Sequence, residues 1–131
     1  MKDCRGLETL DVKFKYLDDY LYVFVTGDED TIVVSLTYWE KVMEACRKQN
    51  YKKVLINEDF EKQVICLDSF DVAECVERLH LAGMKIAFVD EQVGHHGENK
   101  FVVRIAKDKN VWIKVFDDAA DAKTWLLSEE K

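Results

Sequence analysis

The chain contains no proline and only five glycines in 131 residues. Without proline there is no rigid linker or Pro-rich tail to separate domains, and the glycines are too few and too scattered for a phosphate-cradling loop or a dinucleotide fingerprint. No G-x-S-x-G elbow occurs, so a hydrolase-type nucleophile has no local signature. Basic residues are in deficit: the net charge is −7, shared nearly evenly by the two halves. A nucleic-acid binder displaces counterions with a positive stripe, and neither half supplies one, which argues against DNA, RNA and anionic membrane surfaces. No apolar run approaches the roughly 20 residues of a membrane span, and the opening MKDCRGLETLDVKF has no apolar signal core. The expected compartment is the cytoplasm. Cysteine is sparse as well: Cys4, Cys46, Cys66 and Cys75 form no C-x-x-C pair, so reduced, mostly buried thiols are expected in place of a zinc or redox site.

What is present has globular proportions, 48% hydrophobic and 34% charged, at a length suited to one domain with one core. The chain is read as a single domain over residues 1–131, its core spanning about 8 to 127. Leu10 to Leu17 and Tyr20 to Thr26 flank Asp18-Asp19; Val12, Phe14 and Tyr16 alternate with Lys13 and Lys15, which predicts a starting hairpin with one solvated face. Thr31 to Leu36 reads either way. Thr37-x-x-Glu40 is a capping-box pattern that predicts the start of a helix, with Tyr38, Trp39, Val42, Met43 and Cys46 at helical spacing and a stop near Gln49-Asn50.

Lys53 to Asn57 predicts a short buried strand, and Glu58 to Gln63 a polar connection. A second helix follows, capped by Asp68 or Ser69, with Val72, Ala73, Val76 and Leu79 on one face and Gly83 at its stop. Lys85 to Val89 is the next strand, Asp90 to Glu98 a loop, Phe101 to Ala106 a short helix, Val111 to Phe116 a last strand, and Ala119 to Leu127 a terminal helix. The order ββαβαβαβα implies an α/β fold with a mixed, mostly parallel sheet, an antiparallel first strand, and helices packed on it.

Several pieces of the second half resemble the STAS-like (SpoIIAA-like, anti-sigma-factor-antagonist-like) family: Gly83-Met84-Lys85-Ile86-Ala87-Phe88-Val89, then Phe101, Ala106, Val115-Phe116 and Ala122-Lys123-Thr124-Trp125-Leu126. The resemblance runs over roughly residues 8 to 127. It implies a regulatory module that docks a protein partner. In such antagonists a Ser or Thr at the start of the second helix is phosphorylated within an Asp-Ser-Ser/Thr-Gly-Leu-type motif. The matching stretch here is Asp68-Ser69-Phe70-Asp71-Val72. It departs from the motif in having Phe70 at the phosphoacceptor position and Asp71 in place of the glycine, so Ser69 is read first as a helix N-cap.

Acidic groups sit at or after each expected strand end: Asp28-Glu29-Asp30, Glu58-Asp59, Asp90-Glu91 and Asp117-Asp118. Ligands of α/β sheets bind at that edge, but carboxylates there also suit helix N-termini, and capping is the reading preferred over a cation site. Gly94-His95-His96-Gly97 could add imidazoles beside Asp90 for a metal. Adjacent histidines point apart in extended chain, so His95 and His96 are read as loop residues. No cofactor is implied.

Three tryptophans and twelve Phe and Tyr exceed what one small sheet must hide. Tyr38, Trp39 and Met43 on the first helix, with Ser69 and Phe70 at the second, form the candidate contact surface for a protein partner or a second copy of the chain. The alternative is a groove between helices and sheet for an apolar, lipid-like small molecule, by analogy of STAS-like folds with the CRAL-TRIO lipid carriers. An enzyme is the least supported reading.

Overall fold

The computed structural model describes residues 9–30, 32–63, 77, 81–90 and 110–128. Five strands are laid down in sequence order, β1 (Asp11–Tyr16), β2 (Leu21–Asp30), β3 (Lys53–Gln63), β4 (Lys85–Asp90) and β5 (Trp112–Phe116), and their spatial order is the same. β1 is antiparallel to β2, with Asp11 opposite Thr26 and Tyr16 opposite Leu21. All later pairings are parallel, with Leu21 beside Val54, Lys53 beside Lys85, and Lys85 beside Trp112. Helix α1 (Ile32–Gln49) lies on one face and α2 (Ala119–Leu127) on the other. The mixed α/β architecture expected from the sequence is therefore present. Glu77, inside the second expected helix, is helical, and Leu81 to Gly83 are already past it in a turn; residues 68–76 and 78–80 and the Phe101 to Ala106 helix lie outside the described residues.

Strand alternation divides the core. Leu21, Val23 and Val25 of β2, Val54, Ile56 and Phe60 of β3, and Ile86 and Phe88 of β4 face α1, which meets them with Val34, Tyr38, Val42, Met43 and Cys46. Leu55, Ala87 and Val89 face the other way and are covered by Ala122, Trp125 and Leu126 of α2. Central parallel strands buried on both faces read as continuous apolar runs, which is why Val54-Leu55-Ile56 and Ile86-Ala87-Phe88-Val89 carry no polar alternation.

Three boundaries differ from the sequence reading. The first helix begins at Ile32, not at Thr37, because Val34 lies one turn before Tyr38 and extends the buried stripe upstream; Thr37 sits inside the helix. Gly27 to Asp30 continue β2, and Glu58 to Gln63 continue β3, so neither acidic stretch is a loop. The extension is held by Phe60, which pairs with Gly27 across the ladder and is buried. A Cβ at Gly27 would stand 2.9 Å from the Phe60 ring, so the absence of a side chain there lets the ring lie against the backbone of β2.

α1 ends where expected. Asn50 takes the left-handed conformation (φ 59°) and Tyr51 N–H donates back to the Cys46 carbonyl at 2.9 Å, the long bond of a Schellman stop. Arg47 and Lys48 in the last turn favour the negative end of the helix dipole. Gly83 (φ 88°) turns the chain into β4, with Met84 N–H donating to the Leu81 carbonyl at 3.0 Å.

Candidate functional site

The C-terminal edge of the sheet, where the acids were expected to gather, is built differently from a ring of loop carboxylates. Glu58 pairs with Val25 on one side and Asp90 on the other, and alternation turns its side chain toward α1, where it is only 3% exposed. Tyr38 Oη donates to Glu58 Oε2 at 2.6 Å, tying the first half of α1 to the strand beneath it. A buried carboxylate needs such a charge-assisted bond to offset its desolvation. The sequence carried the signal: Glu58, Asp59, Phe60 and Glu61 alternate buried and exposed with strand period, which a reading of the stretch as polar connection passed over.

The remaining acids go separate ways. Asp28 belongs to β2, and its N–H donates to Thr9 Oγ1 at 3.1 Å. Asp59 is exposed on the face away from α1. Asp90 ends β4. Asp118 caps α2, its carboxylate accepting from Asp121 N–H at 2.8 Å, as the capping reading of Asp117-Asp118 expected. Among the described residues no three His, Cys, Asp or Glu side chains gather in a metal-binding group. His95 and His96 lie outside the described residues, as do Asp68, Ser69 and Phe70.

Of the α1 contact surface, Tyr38 is 1% exposed and Met43 3% exposed, both turned into the core. Trp39 is half-buried and stacks on Tyr38 with ring centroids 5.8 Å apart. The aromatic surplus surfaces instead beside β1: Tyr16 is exposed and lies 6.2 Å from Phe14 and 6.4 Å from Tyr51, whose hydroxyl donates to the Leu17 carbonyl at 2.6 Å. A shallow depression of about 430 Å³ opens next to it, between Asp18-Asp19 and the Asn50 to Lys53 turn.

The sequence reading took Lys85 only as the first residue of a strand and gave its side chain no role. Lys85 opens β4 ahead of the apolar run Ile86 to Val89 and is only 9% exposed. Its Nζ donates to the carbonyls of Trp125 and Ser128, each at 2.8 Å, and stands 4.6 Å from the centre of the Trp125 indole. The ammonium thus adds a further donor to the Trp125 carbonyl, which also accepts from the N–H and Oγ of Ser128, and reaches the Ser128 carbonyl beyond the helix while resting on an aromatic face. A lysine at the head of a run such as Lys85-Ile86-Ala87-Phe88-Val89 is the signal that could have found it.

Cys46 is the one cysteine among the described residues, and it is a buried free thiol. Burial pushes its pKa from 9.0 up to about 11, against a small opposing pull from Arg47. The folded state therefore holds the thiol proton more tightly than the unfolded chain does. The associated stability is intact below about pH 9 and is lost as pH rises through about 11, on the order of 2 kcal/mol. Urea unfolding of the natural chain and of Cys46→Ala at pH 8 and pH 11 checks this, the natural chain losing more between the two; parallel losses would refute it.

With the sheet order and helix placement established, comparison with solved structures becomes informative. An uncharacterized protein of the DUF3478 family from Shewanella loihica PV-4, itself described as having a SpoIIAA-like fold, superposes with a TM-score of 0.54 at 15% identity, over 96% of this chain and 98% of that one. The chain has the SpoIIAA-like fold. The anti-sigma factor antagonist SpoIIAA in its unphosphorylated form aligns with a TM-score of 0.48 at 11% identity, over 87% of this chain and 94% of that one. No family model matches the SpoIIAA-like chain, and no curated protein does. Among its described residues no helix is long and apolar enough to cross a membrane.

Proposed function

We propose that this chain is a non-enzymatic regulatory or binding module of STAS type, acting in the cytoplasm and docking a protein partner or a second copy of itself. The observation that carries the reading is the SpoIIAA-like fold extending over 96% of the chain. Two further features support it. Among the described residues the buried charged side chains, Glu58 and Lys85, hold α1 and α2 to the sheet. Exposed aromatic surface lies beside the edge strand, at Tyr16. Native mass spectrometry of freshly purified chain tests the reading, since oligomer, ligand and metal are weighed together. Protein-only masses are expected, and a stoichiometric apolar ligand would move the assignment to a lipid-like carrier.

The motif at the second helix separates this module from phosphorylation-switched antagonists. With Phe70 at the acceptor position and Asp71 where a glycine is usual, Ser69 is expected to stay unmodified when the chain is incubated with an anti-sigma-type serine kinase and ATP. Intact-mass analysis decides it, and a stoichiometric phosphate on Ser69 would overturn the expectation.

A further inference from the structure

Among the described residues the sheet is five strands wide, and the helix on the face opposite α1 lies to one side of it. α2 is centred on β4 and reaches β3 and β5. Two strand spacings, about 10 Å, separate β4 from β2, and this is also the distance at which two helices pack side by side. Among the described residues no helix lies on the face over β1 and β2, which has the width for one beside α2.

The side chains on that strip are fixed by register. Lys13 is opposite Phe24 and Lys15 opposite Tyr22, and the next strand contributes Asn57, which donates to Tyr22 Oη at 3.3 Å. Phe24 and Tyr22 are half-buried, and both lysines are exposed. Among the described residues Lys13 makes a loose ion pair, 3.6 Å to Asp11 with both side chains more than half exposed, which holds it weakly. The result is an aromatic strip bordered along the edge strand by two ammonium groups, on a chain whose net charge is −7.

We propose that this strip docks an amphipathic helix of a protein partner, with the apolar stripe of that helix on Tyr22 and Phe24 and acidic side chains along one border reaching Lys13 and Lys15. The proposal rests on the docking-module reading above and names its surface and the chemistry of its partner. Two cations on a strongly acidic chain, with Asp11 and Asp59 closing one end of the strip, suit a helix carrying a few carboxylates better than a phosphate backbone.

The probe is a labelled synthetic 18-residue helix with leucines at i, i+3, i+4 and i+7 spacing flanked by glutamates, together with a twin bearing lysine at each glutamate position and a single-stranded oligouridine. Fluorescence anisotropy with the full chain should show saturable binding of the glutamate helix, at least about tenfold tighter than either alternative. Phe24→Ala, and separately Lys13→Glu with Lys15→Glu, should each weaken that binding about tenfold or more. Both lysines are exposed and neither is part of the core, so this variant is expected to fold even if Phe24→Ala does not. Backbone amide shifts on binding should fall on β1 and β2. Equal or tighter binding of the lysine twin or the oligouridine, no binding of the glutamate helix, or amide shifts confined to other elements would overturn the proposal. Cross-links of a captured partner to α1, with affinity unchanged in both variants, would overturn this surface and leave the docking-module reading standing. A copurified stoichiometric lipid would instead remove that reading while the peptide measurement stays separate.

Discussion

Trp125→Ala lowers the unfolding free energy by about 3 to 5 kcal/mol, as large-to-small changes of buried aromatic side chains do. The indole is 6% exposed, packs 5.7 Å from the Phe116 ring, and is the largest side chain with which α2 covers Leu55, Ala87 and Val89. Its removal opens a cavity under the helix and takes away the aromatic surface beneath the Lys85 ammonium. Trp125→Phe separates shape from polarity. Among the described residues the Trp125 Nε1–H is buried without an acceptor, so the phenylalanine variant loses contacts but also sheds an unsatisfied donor. It should stay within about 1.5 kcal/mol of the natural chain. Urea unfolding followed by far-UV circular dichroism measures both. A loss below about 1 kcal/mol for Trp125→Ala would show that the ring contributes little to the core.

Phe60→Ala should cost a similar amount, about 3 to 5 kcal/mol, because the ring is 1% exposed and fills the space between α1 and the extended ends of β2 and β3. It lies 6.2 Å from Tyr38, so the cavity would border the Tyr38 to Glu58 bond as well. Gly27→Ala probes the same contact from the other side. The added methyl would meet the ring at 2.9 Å, and a buried ring between packed elements has little room to yield. Once the ring is gone the methyl has space, so the double variant should be less destabilised than the sum of the two single changes. A strictly additive cycle would show that the two positions do not press on each other.

The sequence disclosed the elements whose signals are local. The Asp18-Asp19 hairpin, the Asn50 stop of α1 and the full extent of α2 follow from turn chemistry, a left-handed cap and an amphipathic nine-residue stretch. It misled where a tertiary contact outweighed the local signal. Thr37 and Glu40 form a capping-box pattern, yet the apolar stripe beginning at Val34 carries the helix past it. Glu58 to Gln63 look like a polar connection because the partner that makes Glu58 tolerable inside, Tyr38, is 20 residues away. The site was legible only in part for the same reason. Tyr38 and Met43 look like surface candidates until the sheet is placed under them, and no spacing rule announces that Lys85 will reach the carbonyls of residues 40 and 43 positions later.

The order β1-β2-β3-β4-β5 also has a consequence for how the polypeptide is made. Every strand finds its neighbour in the strand synthesised just before it, so the sheet can grow vectorially as the nascent chain leaves the ribosome, without waiting for a distant segment. The α1 face gains its cover early, since the helix precedes β3. Among the described residues the helix over the opposite face comes last: Ala122, Trp125 and Leu126, which pack with Leu55, Ala87 and Val89, are the end of the described chain to be made. Until α2 has left the ribosome, its share of the cover over that face is missing.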